Sequence, residues 1–569
     1  MSSGAQWSLM GVDFSNPNTD LAIRSSFTIV AYKQGDPLSL RHAWETKTST
    51  YSQKISALRT WLQECRSHTT DGHNHCRPDP FTPLRLIRVG VDGSPPRLVE
   101  TESREGQAEY ATLSYCWGGE LPLRTLKQSR TELLKEIPEQ CLPRTFGDAI
   151  QMTRDLEIPY LWIDALCIVQ DDEDDWQEQA AEMDRIYQGS QLTISAVDST
   201  DCTQGCFPVD NSGWREGEMF FETPNYGGDD SSLLVRIYQG DVRHRASIDT
   251  PLSYRGWTLQ EQLLSPRVVS CMQPEVHWNC LGSYQTECGL QFSMSTMDRL
   301  YRHSKGWIMP TATALRRPGS SGSVWSRIAN NYSKREFTFS GDRIVALMGI
   351  VRYLSTWWQD ENILGLWKSK FAQGLMWMRR GPHPDLDSEC LTRSLPSWSW
   401  LSCSAIVEFD FWNWDATAKG NDNYHITLLD HAVCWTGNPY TSAVDFGSTY
   451  VRVEGYMKDI EITPCARGTV SNPPFFQVLG ETLDFENNPS PWRCMGNFDS
   501  GAVSESATYP CLLLRSWQAD EEGSTHEIFL ILEPVGKPQD ARYRRIGLAR
   551  ILGGRPTFDT SKKVCITLV

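Results

Sequence analysis

Tyr160-Leu-Trp-Ile-Asp164 is an apolar run closed by a single acid. A strand buried on both faces reads this way, and the terminal Asp must be paired or hydrogen-bonded if it is buried too. Upstream, residues 143–156 set Phe146, Ala149, Ile150 and Leu156 on one side of a helix, with Thr145 as the expected N-cap after Pro143. Before that helix, Ala111-Thr-Leu-Ser-Tyr-Cys116 is a short β-rich run that stops at Trp117-Gly-Gly. Downstream, Asp171, Asp172, Glu173, Asp174 and Asp175 precede the helical stripe Trp176, Ala180, Met183, Tyr187, and so stand where a helix dipole favours negative charge. These acids read as a solvated helix start rather than a cation site. Leu192-Thr-Ile-Ser-Ala-Val197 is the next strand. After a Gly/Asp-rich insertion, residues 256–264 read as a short helix and Arg267-Val-Val-Ser-Cys271 as a final strand. Strands alternating with helices predict an α/β unit, a mainly parallel sheet flanked by helices on both faces.

Working outward, the chain divides into four regions. Residues 1–106 hold a short amphipathic helix (Ile55, Leu58, Trp61 and Leu62 on one stripe) and the strand Leu84-Arg-Leu-Ile-Arg-Val89. The α/β unit spans 107–272. Residues 273–395 are mostly helical in pattern, including the Trp-rich run Leu366-Trp-Lys-Ser-Lys-Phe-Ala-Gln-Gly-Leu-Met-Trp377. Residues 396–569 are β-rich: Tyr450-Val-Arg-Val, Glu527-Ile-Phe-Leu-Ile-Leu532 and Val564-Cys-Ile-Thr-Leu-Val569 lie between Gly/Asn/Pro/Asp clusters.

Composition narrows the partners. A formal net charge of −16 repels phosphate backbones, so no nucleic acid is expected as a partner, and acidic membrane surfaces are disfavoured alike. No apolar stretch reaches the ~18 residues a bilayer span needs, so no membrane insertion is expected. The opening Met1-Ser-Ser-Gly-Ala-Gln-Trp7 has no basic region followed by an apolar run, unlike a signal peptide. With that start, the 17 scattered Cys read as reduced thiols in a cytosolic or nuclear compartment, and a cytoplasmic location is expected. The 22 Trp point to aromatic cores or a recognition surface, core packing being the ordinary reading. Cys65, His68, His73, His75 and Cys76 form a metal-like cluster, but its order is irregular for a zinc finger, and a solvated loop with no metal is the expectation. The chain lacks His-Glu-x-x-His, a P-loop and Gly-x-Gly-x-x-Gly, and no cofactor is expected.

Several strings occur in a telling order: Thr112-Leu-Ser-Tyr-Cys-Trp-Gly118, Leu142-Pro-Arg-Thr-Phe-Gly-Asp-Ala149, Leu161-Trp-Ile-Asp-Ala-Leu-Cys-Ile-Val-Gln170, Met183-Asp-Arg-Ile-Tyr187, Arg255-Gly-Trp-Thr-Leu-Gln-Glu261 and Leu264-Ser-Pro-Arg267. Together they resemble the successive blocks of the fungal heterokaryon-incompatibility (HET) domain. Trp61-Leu, Cys65, Phe339-Ser-Gly-Asp-Arg343 and Leu395-Pro-Ser-Trp-Ser-Trp400 resemble segments of full-length proteins of that family. The resemblance implies non-self recognition and regulated cell death in filamentous fungi, with the domain acting as a signalling or effector module. It also implies a distant likeness to Toll/interleukin-receptor (TIR) domains, some of which cleave NAD. TIR enzymes share a Trp-Cys-x-x-Glu helix start whose Glu is catalytic. Trp257-Thr-Leu-Gln-Glu261 reproduces that spacing without the Cys.

The candidate site follows from where ligands bind in an open parallel sheet, outside the carboxyl ends of the strands. Ser114, Trp117 and Gly118 end one strand, Asp164 ends the next, and Trp257 and Glu261 open the last helix. Gly118-Gly119 would allow close approach of a ligand to backbone. Cleavage of an N-glycosidic bond builds oxocarbenium character on the ribose, which a fixed carboxylate at Glu261 would stabilise. The competing reading makes residues 255–261 a packing corner with Glu261 paired to Arg255 or Arg267. Asp164 either contacts a ligand or caps the following turn, and Trp117 either stacks on a base or packs in the core. Cys116 and Cys167 read as small buried hydrophobes. Partners on these readings are proteins bound through the HET domain or the C-terminal region, a nucleotide substrate such as NAD, or a second copy of the chain.

Overall fold

The computed structural model describes residues 27–33, 50–67, 76–90, 92–101, 108–119, 121–208, 217–222, 232–239, 250–272, 276–287, 291–293, 315, 321–339, 341–380, 395–409, 423–439, 442–464, 476–479, 494–499, 507–518, 525–551 and 556–569. The chain forms two compact units, residues 1–313 and 314–569.

The first unit is built on a nine-stranded sheet. Its strands are β1 (Arg85–Arg88), β2 (Arg97–Glu100), β3 (Tyr110–Ser114), β4 (Tyr160–Trp162), β5 (Leu192–Ser195), β6 (Arg267–Ser270), β7 (His277–Cys280), β8 (Ser283–Thr286) and β9 (Gln291–Ser293). They lie in the order β9-β8-β7-β6-β5-β3-β4-β1-β2. The middle four, β6-β5-β3-β4, are mutually parallel, as their continuous apolar runs predict. Antiparallel strands flank them on both sides. The strand at 267–270 is therefore not the last of its sheet, because β7–β9 fold back beside it. Phe27–Lys33, Gly217–Glu222 and Ser232–Gln239 make a separate antiparallel sheet.

Helices cover both faces of the parallel core. α2 (Arg144–Asp155) follows β3 and packs Phe146 edge-on against Tyr115, with ring centroids 5.1 Å apart. α3 (Glu173–Gln188) follows β4 and lies on the opposite face, where Tyr187 meets Trp162 at 5.9 Å and Tyr110 Oη donates to Ile186 O. α4 (Thr258–Leu264) precedes β6 and packs beside α3. The connection from β3 runs to β4 on one side, and that from β4 returns across β3 to β5, so the chain changes direction at β3. In open α/β sheets that is the position where a crevice opens at the carboxyl ends.

Two local expectations change. Pro143, not Thr145, occupies the N-cap of α2; Thr145 lies in the first turn and accepts from Gly205 N at 3.1 Å. The acids at the start of α3 are not wholly solvated. Asp175 accepts from the Val169 amide at 2.8 Å and pairs with Arg85, whose side chain is 3% exposed, joining β1 to the start of α3.

α1 (Tyr51–Ser67) exceeds its expected length and buries Ile55, Leu58, Trp61, Leu62 and Cys65, the stripe its sequence marks. It docks through Trp61 on Trp278 of β7, through a buried Lys54–Glu287 ion pair at 3.0 Å, and through Tyr51 Oη to Asp155 of α2 at 2.6 Å.

Among the described residues of the second unit are the long helices α5 (Ser321–Ser333) and α6 (Asp342–Trp358) and a ten-stranded sheet. Its main strands are β10 (Thr427–Ala432), β11 (Tyr450–Gly455), β12 (Met457–Pro464), β13 (Phe476–Leu479), β14 (Ala507–Gln518), β15 (Thr525–Pro534), β16 (Arg542–Ile551) and β17 (Val564–Leu568). They run in the order β10-β11-β17-β16-β15-β14-β12-β13, so the C-terminal region is β-rich as expected. The run from Leu366 to Trp377 is not one helix. It forms a two-residue strand (Leu366–Trp367), a 3-10 turn and a single helical turn. The cause is aromatic packing: Trp367 lies 4.7 Å from Trp358 and 5.4 Å from Trp325, while Trp325 and Trp400 both donate to Gly365 O. Gly365 sits at φ +88°, and a Cβ there would stand 2.6 Å from Trp400 Nε1.

Candidate functional site at the carboxyl edge of the parallel strands

Asp164 follows β4 and opens the turn Asp164–Cys167. Its Oδ1 accepts from Tyr115 Oη at 2.8 Å and from the Ala165 amide at 2.7 Å, and its Oδ2 accepts from Trp117 Nε1 at 2.7 Å. Asp164 thus holds both its own turn and the segment that leaves β3. Burial raises the carboxyl above its ordinary value, and Arg255 opposes the rise. Arg255 donates to the Tyr115 carbonyl and places its guanidinium 6.0 Å from the Trp117 ring centroid. Trp117 is half-buried and bound through its Nε1, whereas Trp162 is fully buried in the core.

Glu261 lies on α4, one turn after Trp257, whose carbonyl accepts from the Glu261 amide at 3.4 Å. Trp257 is the half-buried N-cap of that helix. Glu261 is 7% exposed, and burial lifts its carboxyl from 4.5 to about 7, with Asp164 adding to the rise. Ser114 and Arg255 oppose it, as does Tyr187 of α3. The Ser114 hydroxyl faces this carboxyl yet makes no well-formed hydrogen bond. Of the partners the sequence offered for Glu261, Arg255 acts on it through space. Arg267 directs its guanidinium to Cys65 Sγ at 3.2 Å and Gln191 O at 3.0 Å.

Ser114, Trp117, Asp164 and Glu261 therefore gather at the carboxyl edge, with Trp257 one turn before Glu261. Gly118 stands differently. It adopts φ +77°, and a Cβ there would meet Asp201 Cβ at 2.3 Å, so the close approach that requires glycine is to Asp201. Cys116 is buried beside the cluster, its thiol pushed up to about 11 by burial, and the buried Cys167 thiol is pushed to about 12. Neither is primed as a nucleophile. Sequence reasoning missed Tyr115, Tyr187 and Ser195. Ser195 aligns with Ser114 on β3 and Ser270 on β6, and its buried hydroxyl also lacks a hydrogen-bond partner. The signal was present: three of the four parallel strands, β3, β5 and β6, carry a Ser at their carboxyl end, and β4 leads into Asp164 instead.

Chemically, a carboxyl poised at about 7 can take or give a proton at neutral pH. A second carboxyl and a guanidinium beside it supply the fields that steer such a transfer.

The metal-like cluster comes out differently from its expectation. His68, His73 and His75 lie outside the described residues. Cys65 and Cys76 are not on a solvated loop: both are buried, and Cys280 of β7 joins them. The cysteines whose side chains are described are thiols. Among the described residues, no helix is long and apolar enough to cross a membrane.

A doubly wound α/β unit with charged side chains clustered at its switch point is the class that fold and site define. Within it, residues 110–261 match the family model "Heterokaryon incompatibility protein (HET)", so this chain carries a heterokaryon incompatibility-type segment. No curated protein and no solved structure matches the chain.

Proposed function

We propose that this chain is a fungal, cytoplasmic HET-domain protein that acts in non-self recognition as a signalling or effector module of regulated cell death. The observation that supports it is the coincidence of the matched segment, 110–261, with a polar edge at which Tyr115 and Trp117 are tied to Asp164. Asp164 already accepts three hydrogen bonds, and Glu261 is buried on α4 beside Tyr187 of α3. An edge held at Asp164 in this way presents a preformed surface to a protein partner or to a second copy of the chain, with the β-rich C-terminal unit as a further docking region. Overexpression in a filamentous fungus tests it. Cell death is the expected outcome, and Glu261→Gln should be as toxic as wild type at equal abundance. A host that grows normally at high abundance of the folded chain would overturn the reading.

A second reading, a TIR-like hydrolase of NAD or a related nucleotide, is favoured by one observation: the Glu261 carboxyl at about 7, beside Ser114 at the carboxyl end of β3. It requires nicotinamide release when the purified chain is incubated at high concentration with NAD. Glu261→Gln should then lower that rate about a hundredfold, through loss of charge at the oxocarbenium-like state.

A further inference from the structure

Three sulfur atoms from distant parts of the first unit converge in its interior. Cys65 lies in the last turns of α1, Cys76 in the segment that leads towards β1, and Cys280 at the end of β7. Their Sγ atoms all lie within 4.8 Å of one another, and the three residues are between 0% and 4% exposed. Tetrahedral thiolate ligation at about 2.3 Å sets sulfurs about 3.8 Å apart, so a small closure brings this triad to ligand spacing. An odd number of thiols at one point is poorly explained as a disulfide, since any pairing leaves one behind.

A second observation concerns charge. Arg267 of β6 donates its Nε–H to Cys65 Sγ at 3.2 Å. A guanidinium buried against sulfur is favourable if the sulfur is a thiolate, and three thiolates around a divalent cation leave one negative charge that Arg267 balances. The buried group is then neutral overall, the condition under which ions are tolerated in an interior.

We propose that Cys65, Cys76 and Cys280 form a structural zinc site that fastens α1 and the stretch from Cys76 into β1 to the antiparallel wing of the sheet. Soft sulfur donors select zinc over the hard divalent cations, and three thiolates leave one tetrahedral position for a further donor. The location suits a structural role. The same wing already receives α1 through the Trp61–Trp278 contact and the Lys54–Glu287 pair, and Cys280 pairs with Arg267 at the amino end of β6.

Metal analysis of the full-length chain, purified under reducing conditions without chelator, is the test. The expected result is about one zinc per chain, released by a thiol-blocking mercurial. Cys76→Ser and Cys280→Ser should each retain less than about a tenth of it, while Cys141→Ser, at an exposed position, retains all. Because a Ser variant can fail to fold, the wild-type chain is also stripped of metal and given Co(II). Thiolate-to-cobalt charge-transfer bands with intense visible d–d bands are expected. Folded wild-type chain without zinc and without those bands would overturn the site, as would full zinc in Cys280→Ser or a mapped disulfide between Cys65 and Cys76.

Discussion

Glu261 shows how burial rather than partnership sets the behaviour of one residue. In the fold its carboxyl titrates at about 7, against 4.5 ordinarily, so between those values the folded chain holds a proton that the unfolded chain has released. Its contribution to stability is fully present below about pH 4.5 and is lost as pH rises through about 7. Gln keeps the shape and cannot ionise. Glu261→Gln is therefore expected to flatten this slope and to leave the variant more stable than wild type above neutrality, by up to roughly 3 kcal/mol. Asp164 and Asp148, also raised by burial, keep a residual slope of the same sign. Melting temperatures of both proteins, measured from about pH 5 to about pH 8, decide the matter; parallel curves would show that Glu261 is not the group responsible. The same substitution separates the two functional readings only if toxicity is compared at equal abundance.

At the scale of elements, the Arg85–Asp175 pair does what neither helix propensity nor strand pattern could do: it fixes β1 to the start of α3. Arg85 Nε also donates to Cys167 O at 2.7 Å, so one buried guanidinium spans β1, the turn after β4 and α3. Removing it leaves Asp175 partly buried without its cation. Arg85→Ala is expected to destabilise the first unit by about 3–5 kcal/mol, read as a shift in denaturant midpoint, whereas a loss under about 1 kcal/mol would mean solvent reaches the pair. Periodicity made the parallel strands and their helices legible, because continuous apolar runs and 3.6-residue stripes follow directly from burial on two faces and on one. It could not show that Asp175 turns inward among solvated acids, since a charge run reads the same either way. Nor could it bring Cys280 to Cys65 and Cys76, for that meeting depends on β7 folding back along β6. The Trp-rich run from Leu366 failed for a related reason: ring packing around Gly365 outweighs helical preference. At the site, the residue types at the strand ends were legible, but the hydrogen bonds that tie Tyr115 and Trp117 to Asp164 were not.

Across the whole molecule, the two units build their interiors by different means. The first relies on a parallel sheet sheathed by helices; the second relies on long antiparallel strands, an aromatic cluster about Gly365 and the fully buried Arg545, whose guanidinium lies 3.4 Å from the Trp377 ring centroid and pairs with Asp499. The segment that matches the HET family coincides with neither unit. Of the nine-stranded sheet, residues 110–261 contain only β3, β4 and β5, while the strands that border them, β1 and β6, come from residues 85–88 and 267–270. Cut at the family's limits, the three-stranded remnant would present two rows of unsatisfied amides and carbonyls, a template for adding further chains edge to edge. A 110–261 fragment is expected to polymerise or precipitate, while a fragment spanning 27–293, which keeps both borders and the Phe27–Lys33 strand that pairs with Ser232–Gln239, stays monodisperse in sedimentation. A monodisperse short fragment would refute this. The unit by which such a sequence is recognised would then be smaller than the unit that can be expressed, exchanged between proteins or inherited as a working part, and any shuffling of this domain would have to carry its flanks along.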